Sequence, residues 1–344
     1  MLTGLLGVDL PIIQAPMAGS QGSALAIAVS NAGGLGSLPC AMLSPEAIRK
    51  ELIAITAATS HPYNVNFFCH QPPAPDAARE AAWRALLAPY YAEFGIDPAS
   101  ITAGRGRVPF NSEAADVLEE FKPPVVSFHF GLPSKELVAR VKSWGSKILS
   151  SATTLDEARY LEAHGADAVI AQGVEAGGHR GSFLATGLKT QRGTMALVWQ
   201  AHNAVKIPVI AAGGIADPTG VAAVLALGAA GAQIGTAYLL CPEATTSAVH
   251  RAALGTDEAV FTAVTNLFTG RPARGIVNRL MRDIGPSNDA APQFPLAASA
   301  ILPLRAKAES EGRDDFSPLW AGLNAACREV PAAQLTRELG ASNH

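Results

Sequence analysis

Ile207 to Ala237 reads IPVIAAGGIADPTGVAAVLALGAAGAQIGTA, and its punctuation is that of two successive strand-to-helix units. Pro208–Ala212 is an apolar run of strand length closed by the Gly213-Gly214 turn. Asp217 and Pro218 then open an amphipathic helix over Thr219–Leu227, which Gly228 stops. A second short strand, Gly231–Ile234, ends in Gly235-Thr236. Both junctions are glycine-rich and present bare backbone N–H groups, which suits a phosphate dianion at helix N-termini. In a parallel barrel such a site lies in the loops after strands seven and eight, so six earlier strands are required.

They are present. Pro11–Ala15, Gly34–Leu38, Tyr63–Phe68, Val125–Phe130, Lys147–Ala152 and Ala168–Gln172 are short apolar runs bounded by Gly, Pro or Asn. Helix-period stretches separate them at Ser23–Asn31, Pro45–Ala58, Ser134–Ser143, Leu155–His164 and Gly193–His202. This alternation predicts an α/β fold, a (β/α)8 TIM barrel over residues 1–69 and 122–254. Two stretches exceed a minimal barrel. Residues 70–121 carry a Pro-rich entry (71–75), a helical Asp76–Phe94 and a Gly/Arg-rich turn around residues 104–107. Residues 255–344 carry expected helices at Ala297–Gly312 and Pro318–Glu329. Long insertions commonly serve as lids, so these pieces are expected to form a smaller, mainly helical cap over the C-terminal mouth.

Composition narrows the function. Of 344 residues, 49% are hydrophobic and 16% charged, typical of a well-buried α/β enzyme. A net charge of -3 without a basic block argues against nucleic-acid binding. Cys40, Cys69, Cys241 and Cys327 are scattered without metal spacing, which fits a reducing cytoplasm. The N-terminus has no basic leader or cleavage site, and no apolar run reaches the roughly 18 residues that span a bilayer. The expectation is a cytoplasmic protein with no membrane partner and, by default for soluble enzymes, a homodimer.

Catalytic groups of such barrels sit at the C-terminal strand ends. In order these are Gln14-Ala15-Pro16-Met17, Asn66, His129, Thr153, Gln172-Gly173, Gly213-Gly214 and Gly235-Thr236. The set holds amides, a thioether, hydroxyls and backbone, but no carboxylate cluster for a metal or a glycosidase pair. Amides at strand ends suit hydrogen bonds to a flat heterocycle, so a bound cofactor is expected to do the hard chemistry. After strand six, Gln172-Gly173-Val174-Glu175-Ala176-Gly177-Gly178-His179-Arg180-Gly181 allows close backbone approach to a ligand and embeds His179, the candidate catalytic group. His129 lines the pocket or is a core histidine bonded to backbone. His164, His202 and His250 read as surface residues on helices. Arg180 attracts an anion or is a solvated loop charge.

Gln14-Ala15-Pro16-Met17, Asn31-Ala32-Gly33-Gly34-Leu35-Gly36, Asn64-Val65-Asn66, Gln172 to His179, Ala212-Gly213-Gly214-Ile215 and Gln233 to Thr236 together resemble the nitronate monooxygenase family, formerly the 2-nitropropane dioxygenases. Flavin-barrel enoyl-acyl-carrier-protein reductases have a similar pattern. The resemblance implies an FMN-dependent TIM barrel that oxidises alkyl nitronates with O2 to a carbonyl compound and nitrite. It implies FMN contacts at Ala15, Pro16, Met17, Asn66, Gln172, Gly177, Gly178, Gly213, Gly214, Gln233, Ile234, Gly235 and Thr236. Gln172 and Asn66 would meet the ring system, and His179 would face the flavin. No metal is expected.

The well-studied bacterial class carries tyrosines and a lysine where this chain has Phe294 to Leu302, which contains neither. A more apolar, less cationic pocket is therefore expected, with His129 and Phe294 as substrate contacts and Phe67 and Phe68 fitting its wall. Two other readings stand beside this one: an FMN-dependent NAD(P)H reductase of a quinone or enoyl thioester, and a flavin-free barrel acting on a phosphorylated metabolite.

Overall fold

The computed structural model describes residues 2–101 and 106–341. Among the described residues, nine strands precede residue 240: β1 (Ile12–Gln14), β2 (Gly36–Pro39), β3 (Tyr63–Phe68), β4 (Val125–His129), β5 (Lys147–Ala152), β6 (Ala168–Gln172), β7 (Gly178–His179), β8 (Val209–Ala212) and β9 (Gly231–Ile234). All but β7 form one parallel sheet in the order β1-β9-β8-β6-β5-β4-β3-β2. The sheet closes on itself where Leu35 N donates to Ile12 O (2.9 Å) and Gln14 N donates to Leu35 O (3.0 Å). This is the (β/α)8 barrel read from the sequence.

The helices between the strands are α1 (Leu2–Leu6), α2 (Ser23–Asn31), α3 (Pro45–Ala58), α4 (Ala77–Glu93), α5 (Ser112–Phe121), α6 (Lys135–Ser143), α7 (Leu155–Ala163), α8 (Thr194–His202) and α9 (Pro218–Ala226). Ser44, Asn111, Ser134, Thr154 and Asp217 each accept a backbone N–H at the start of α3, α5, α6, α7 and α9. Strand alternation sorts side chains between two cores. On β8, Val209 and Ala211 pack against the helices, whereas Ile210 and Ala212 fill the axis with Ile13, Leu35, Leu149 and Ile170. Leu2 and Leu6 of α1 close the axial core from the N-terminal side. Here a Cβ on Gly231 would lie 2.4 Å from Leu2.

Beyond the barrel come α10 (Ala248–Leu254), β10 (Thr262–Thr265), β11 (Ala273–Ile276), α11 (Arg279–Ile284), α12 (Ala298–Ser310) and α13 (Ala332–Gly340). Insertion and tail share a core: Trp83, Leu87, Tyr90 and Tyr91 of α4 pack with Leu280, Met281, Ile301, Leu304 and Phe316. Trp83 Nε1 and Tyr91 OH bond to the carbonyls of Ala297 and Ala300. The cap also holds a small antiparallel sheet, β10-β11-β7, which takes its third strand from the loop after β6.

Three details depart from the sequence reading. The helix α5, counted with the insertion 70–121, packs between α3 and α6 and belongs to the barrel's ring. Residues 318–329 are not helical, because Pro318 and Gly322 interrupt the run, and the segment instead crosses the barrel mouth. The last helix of 255–344, α13, lies outside the cap: Leu335 and Leu339 join the outer core against α2 and α9. Of the turn around 104–107, residues 104 and 105 lie outside the described residues. No helix among the described residues is long and apolar enough to cross a membrane.

Candidate active site

At the C-terminal ends of the strands lies a cavity lined by Ala15, Pro16, Met17, Asn66, Gln172, Gly177, Gly178, Gly213, Gly214, Gln233, Gly235 and Thr236, with His129 and His179 in its wall. Ile234 is the exception among the expected cofactor contacts. One position past the inward Gln233, it points outward into the helix-side core. Phe294 stands one layer back, its ring 5.3 Å from that of His179. Phe68 lines the cavity, whereas Phe67 faces outward against Phe110.

The floor is a glycine cradle. Gly213 and Gly214 have φ of 116° and 72°, a region side-chain-bearing residues rarely adopt. A Cβ on Gly213 would come within 2.8 Å of Ala176 N. Among the described residues, no protein acceptor takes the N–H of Gly214 or Gly235. Gln233 Oε1 is buried without a partner. The N-terminus of α9 is not part of this cradle, contrary to expectation: Asp217 Oδ1 already takes Gly220 N–H at 2.7 Å and supplies its own negative charge there. Any anion is left to the turn amides.

The His179 loop is held from several sides. Gln172 Nε2 donates to His179 O (2.9 Å), and Gln172 Oε1 accepts from Gly181 N (2.7 Å). Both ends of the amide therefore hold the loop, while Gln172 also lines the cavity. Arg180 is fully buried and donates to the carbonyls of Gln172, Gly173 and Thr190. It is a loop anchor, neither an anion trap nor a solvated charge. Glu157 is buried and accepts from Thr153 N, Thr153 Oγ1, Phe183 N and Leu184 N. Glu175 takes Thr194 N and Oγ1.

His129 sits beneath His179. Its Nε2 donates to His179 O (3.1 Å), so Nδ1 accepts from Ser151 Oγ (3.0 Å). Burial lowers its pKa to about 4, against the raising effect of the bond to His179. His179 itself contacts Thr269 Oγ1 through Nε2 (2.9 Å), and its ring lies 5.5 Å from Trp320 and 6.2 Å from Phe68. Burial first, then the charges of Arg107, His129, Arg271 and His70, hold its pKa well below the ordinary 6.5. The imidazole is therefore neutral at physiological pH.

The cationic side of this pocket was not read from the sequence. The segment after the barrel lacks lysine, but Arg107 and Arg271 arrive from elsewhere. Arg107 lines the cavity with its guanidinium 5.8 Å from the Phe68 ring centroid. Arg271 lies 3.9 Å from that of Phe130 and donates to Ser182 O. Two guanidinium groups thus stand near the pocket although the 294–302 segment supplies no cation. His250 is also corrected: it is buried, not superficial, and burial lowers its pKa to about 4. Asn324 and Thr269 were missed, and Trp320-Ala321-Gly322, which resembles the family only weakly, was given no role, since nothing local shows that tail residues return to the mouth. Among the described residues no cluster of His, Cys, Asp or Glu could hold a metal ion.

The family model described as nitronate monooxygenase matches residues 1–341. The chain is 44% identical over 341 residues to a nitronate monooxygenase of Pseudomonas aeruginosa, covering 98% of this chain and 97% of that protein. Among solved structures, a nitroalkane oxidase from Streptomyces ansochromogenes superposes with a TM-score of 0.89 at 39% identity, covering 98% of this chain and 96% of that one. FabK from Thermotoga maritima follows with a TM-score of 0.73 at 28% identity, covering 98% and 94%.

Proposed function

The chain belongs to the nitronate monooxygenase family, and from that premise we propose that it holds FMN in the glycine cradle and oxidises alkyl nitronates with O2 to a carbonyl compound and nitrite. The observation that carries this reading is a neutral imidazole, His179, in the wall of a cavity whose floor offers free amides and one unpaired amide oxygen.

The residues present fit a flavin. The turn amides of Gly214, Gly235 and Thr236 suit a phosphate, where side chains would exclude it. Gln233 Oε1 needs a donor, which a heterocyclic N–H supplies. Asn66 gives Nδ2 to Ser127 Oγ (2.9 Å) and turns toward the cavity. When bound, the flavin supplies the electron transfer between nitronate and O2 that no side chain provides.

The chain's own part is to bind, orient and handle a proton. Thr269 Oγ1 donates to Arg271 O at 3.5 Å and accepts His179 Nε2–H, which leaves Nδ1 as the ring nitrogen able to act as a base. Surrounded by Phe68, Phe130, Phe294 and Trp320, this neutral base can exchange a proton with the substrate, while the nitronate oxygens need a donor other than Nδ1. The test is anaerobic mixing of the purified yellow protein with ethyl nitronate. Bleaching of the visible flavin band by nitronate supports the reading. Bleaching by NADH alone, with nitronate inert, refutes it, and a colourless protein refutes the cofactor.

A further inference from the structure

A second cavity, of about 500 Å³, opens beside the first, between the loop leading into α3, the 106–114 segment and α12. Its wall is mainly apolar, with Met42, Leu43, Ile48, Phe67, Val108 and Leu302, and also carries Glu113 and Arg305. Three of these, Met42, Val108 and Leu302, are 57%, 66% and 52% exposed. Large apolar side chains grouped at one opening mark a binding surface rather than chance exposure.

Two residues join this groove to the His179 cavity. Arg107 lines both. Thr269 lines the groove and carries the hydroxyl that holds His179 Nε2. The Arg107 guanidinium lies 5.3 Å from the Phe294 ring centroid, and His70 Nε2 pins its backbone by donating to Arg107 O at 3.0 Å. Burial alone lowers its pKa, with no carboxylate offsetting it among the described residues. A half-buried cation without a protein anion among the described residues, placed between an apolar groove and a catalytic imidazole, is complementary to an amphiphilic anion.

We propose that the groove binds the alkyl chain of the substrate while Arg107 holds its anionic head beside His179, so that the preferred substrates are medium-chain alkyl nitronates. This substrate class rests on the nitronate reading above. Short nitronates engage Arg107 and His179 alone. Longer ones also remove methylenes from water, each contributing about a three- to fourfold gain in affinity.

Two measurements on the holoprotein separate the proposal from its premise. The first is kcat/KM for the nitronates of nitroethane, 1-nitrobutane, 1-nitrohexane and 1-nitrooctane. It should climb with chain length through KM, and Leu302→Glu should flatten the climb. The second is calorimetric binding of acetate, butyrate, hexanoate and octanoate, which requires no turnover. Octanoate should bind tightest, and both Arg107→Met and Leu302→Glu should weaken it at least tenfold, with Arg107→Lys recovering part of the loss. Equal kcat/KM across the series, with turnover intact, overturns the groove and leaves the nitronate reading standing. Failure of every nitronate refutes that reading, and the carboxylate titration still decides the groove. Octanoate binding insensitive to both substitutions places the chain elsewhere and overturns the proposal. So does a dimer that buries Met42, Val108 and Leu302 and excludes octanoate.

Discussion

Acidification should weaken this fold through its buried histidines before any carboxylate takes part. Burial holds His129 and His250 at pKa values of about 4, against about 6.5 in an unfolded chain. Between those values the unfolded chain binds a proton that the folded one refuses. The contribution of these two histidines is therefore complete above pH 6.5, falls as the pH drops through the window, and levels off below about 4. At pH 5 each group costs about 2 kcal/mol, so the pair costs about 4 kcal/mol, a large share of the roughly 5–15 kcal/mol that holds a domain folded.

His250 provides the test. Its Nε2 is buried without a partner among the described residues, and its other contribution is a hydrogen bond to the Trp320 backbone. His250→Leu removes an orphaned polar atom along with that bond, so the change at pH 8 should be within about 1 kcal/mol. On going from pH 8 to pH 5, wild type should then lose about 2 kcal/mol more than the variant. Guanidinium unfolding followed by circular dichroism at pH 8, 6 and 5 reads that difference directly. Glu93, held at about 2 by its hydrogen bond to Arg279, starts to lose its effect only as the pH nears its unfolded value of about 4.3, and does so equally in both proteins. Parallel losses in the two proteins would refute the reasoning.

Three shorter predictions concern the site. Gly213→Ala forces a methyl to 2.8 Å from Ala176 N at φ 116°; the folded variant should lose flavin on dialysis, and full retention would contradict the cradle. Thr269→Val unfixes the His179 tautomer and should lower kcat/KM with nitronate about 10- to 100-fold, by analogy with other orienting partners. Thr269→Ser should restore it, and an unaffected valine variant would remove Nδ1 as the base. Arg180→Met strands the carbonyls of Gln172, Gly173 and Thr190 and should cost about 2–4 kcal/mol in guanidinium unfolding; a loss under 1 kcal/mol would show water replacing the guanidinium.

The barrel was legible because each strand is a short apolar run with a glycine, proline or asparagine edge, and such punctuation is local. Ile234 could have been placed correctly by the same rule: alternation along Gly231–Ile234 sends Gln233 inward and its neighbour outward. The α5 and α13 helices also had local signals. Asn111 precedes an amphipathic run, and Leu335 and Leu339 stand one turn apart after Pro331. What local pattern could not show is pairing across the chain. Two residues, Gly178 and His179, carry no strand signature, yet they join β11. Arg107 and Arg271 become neighbours of His179 only once insertion and tail have docked. His250 is likewise buried by contacts from the tail, Trp320 among them.

The pairing of His179 with Ala273 has a consequence for the order of biogenesis. During translation the eight barrel strands are all synthesised before the residues that orient the imbalanced corner of the pocket, Thr269, Arg271 and Ala273. A nascent barrel released early would therefore carry its glycine turns but leave its imidazole unaligned, so the chain acquires reactivity only after its final third has emerged.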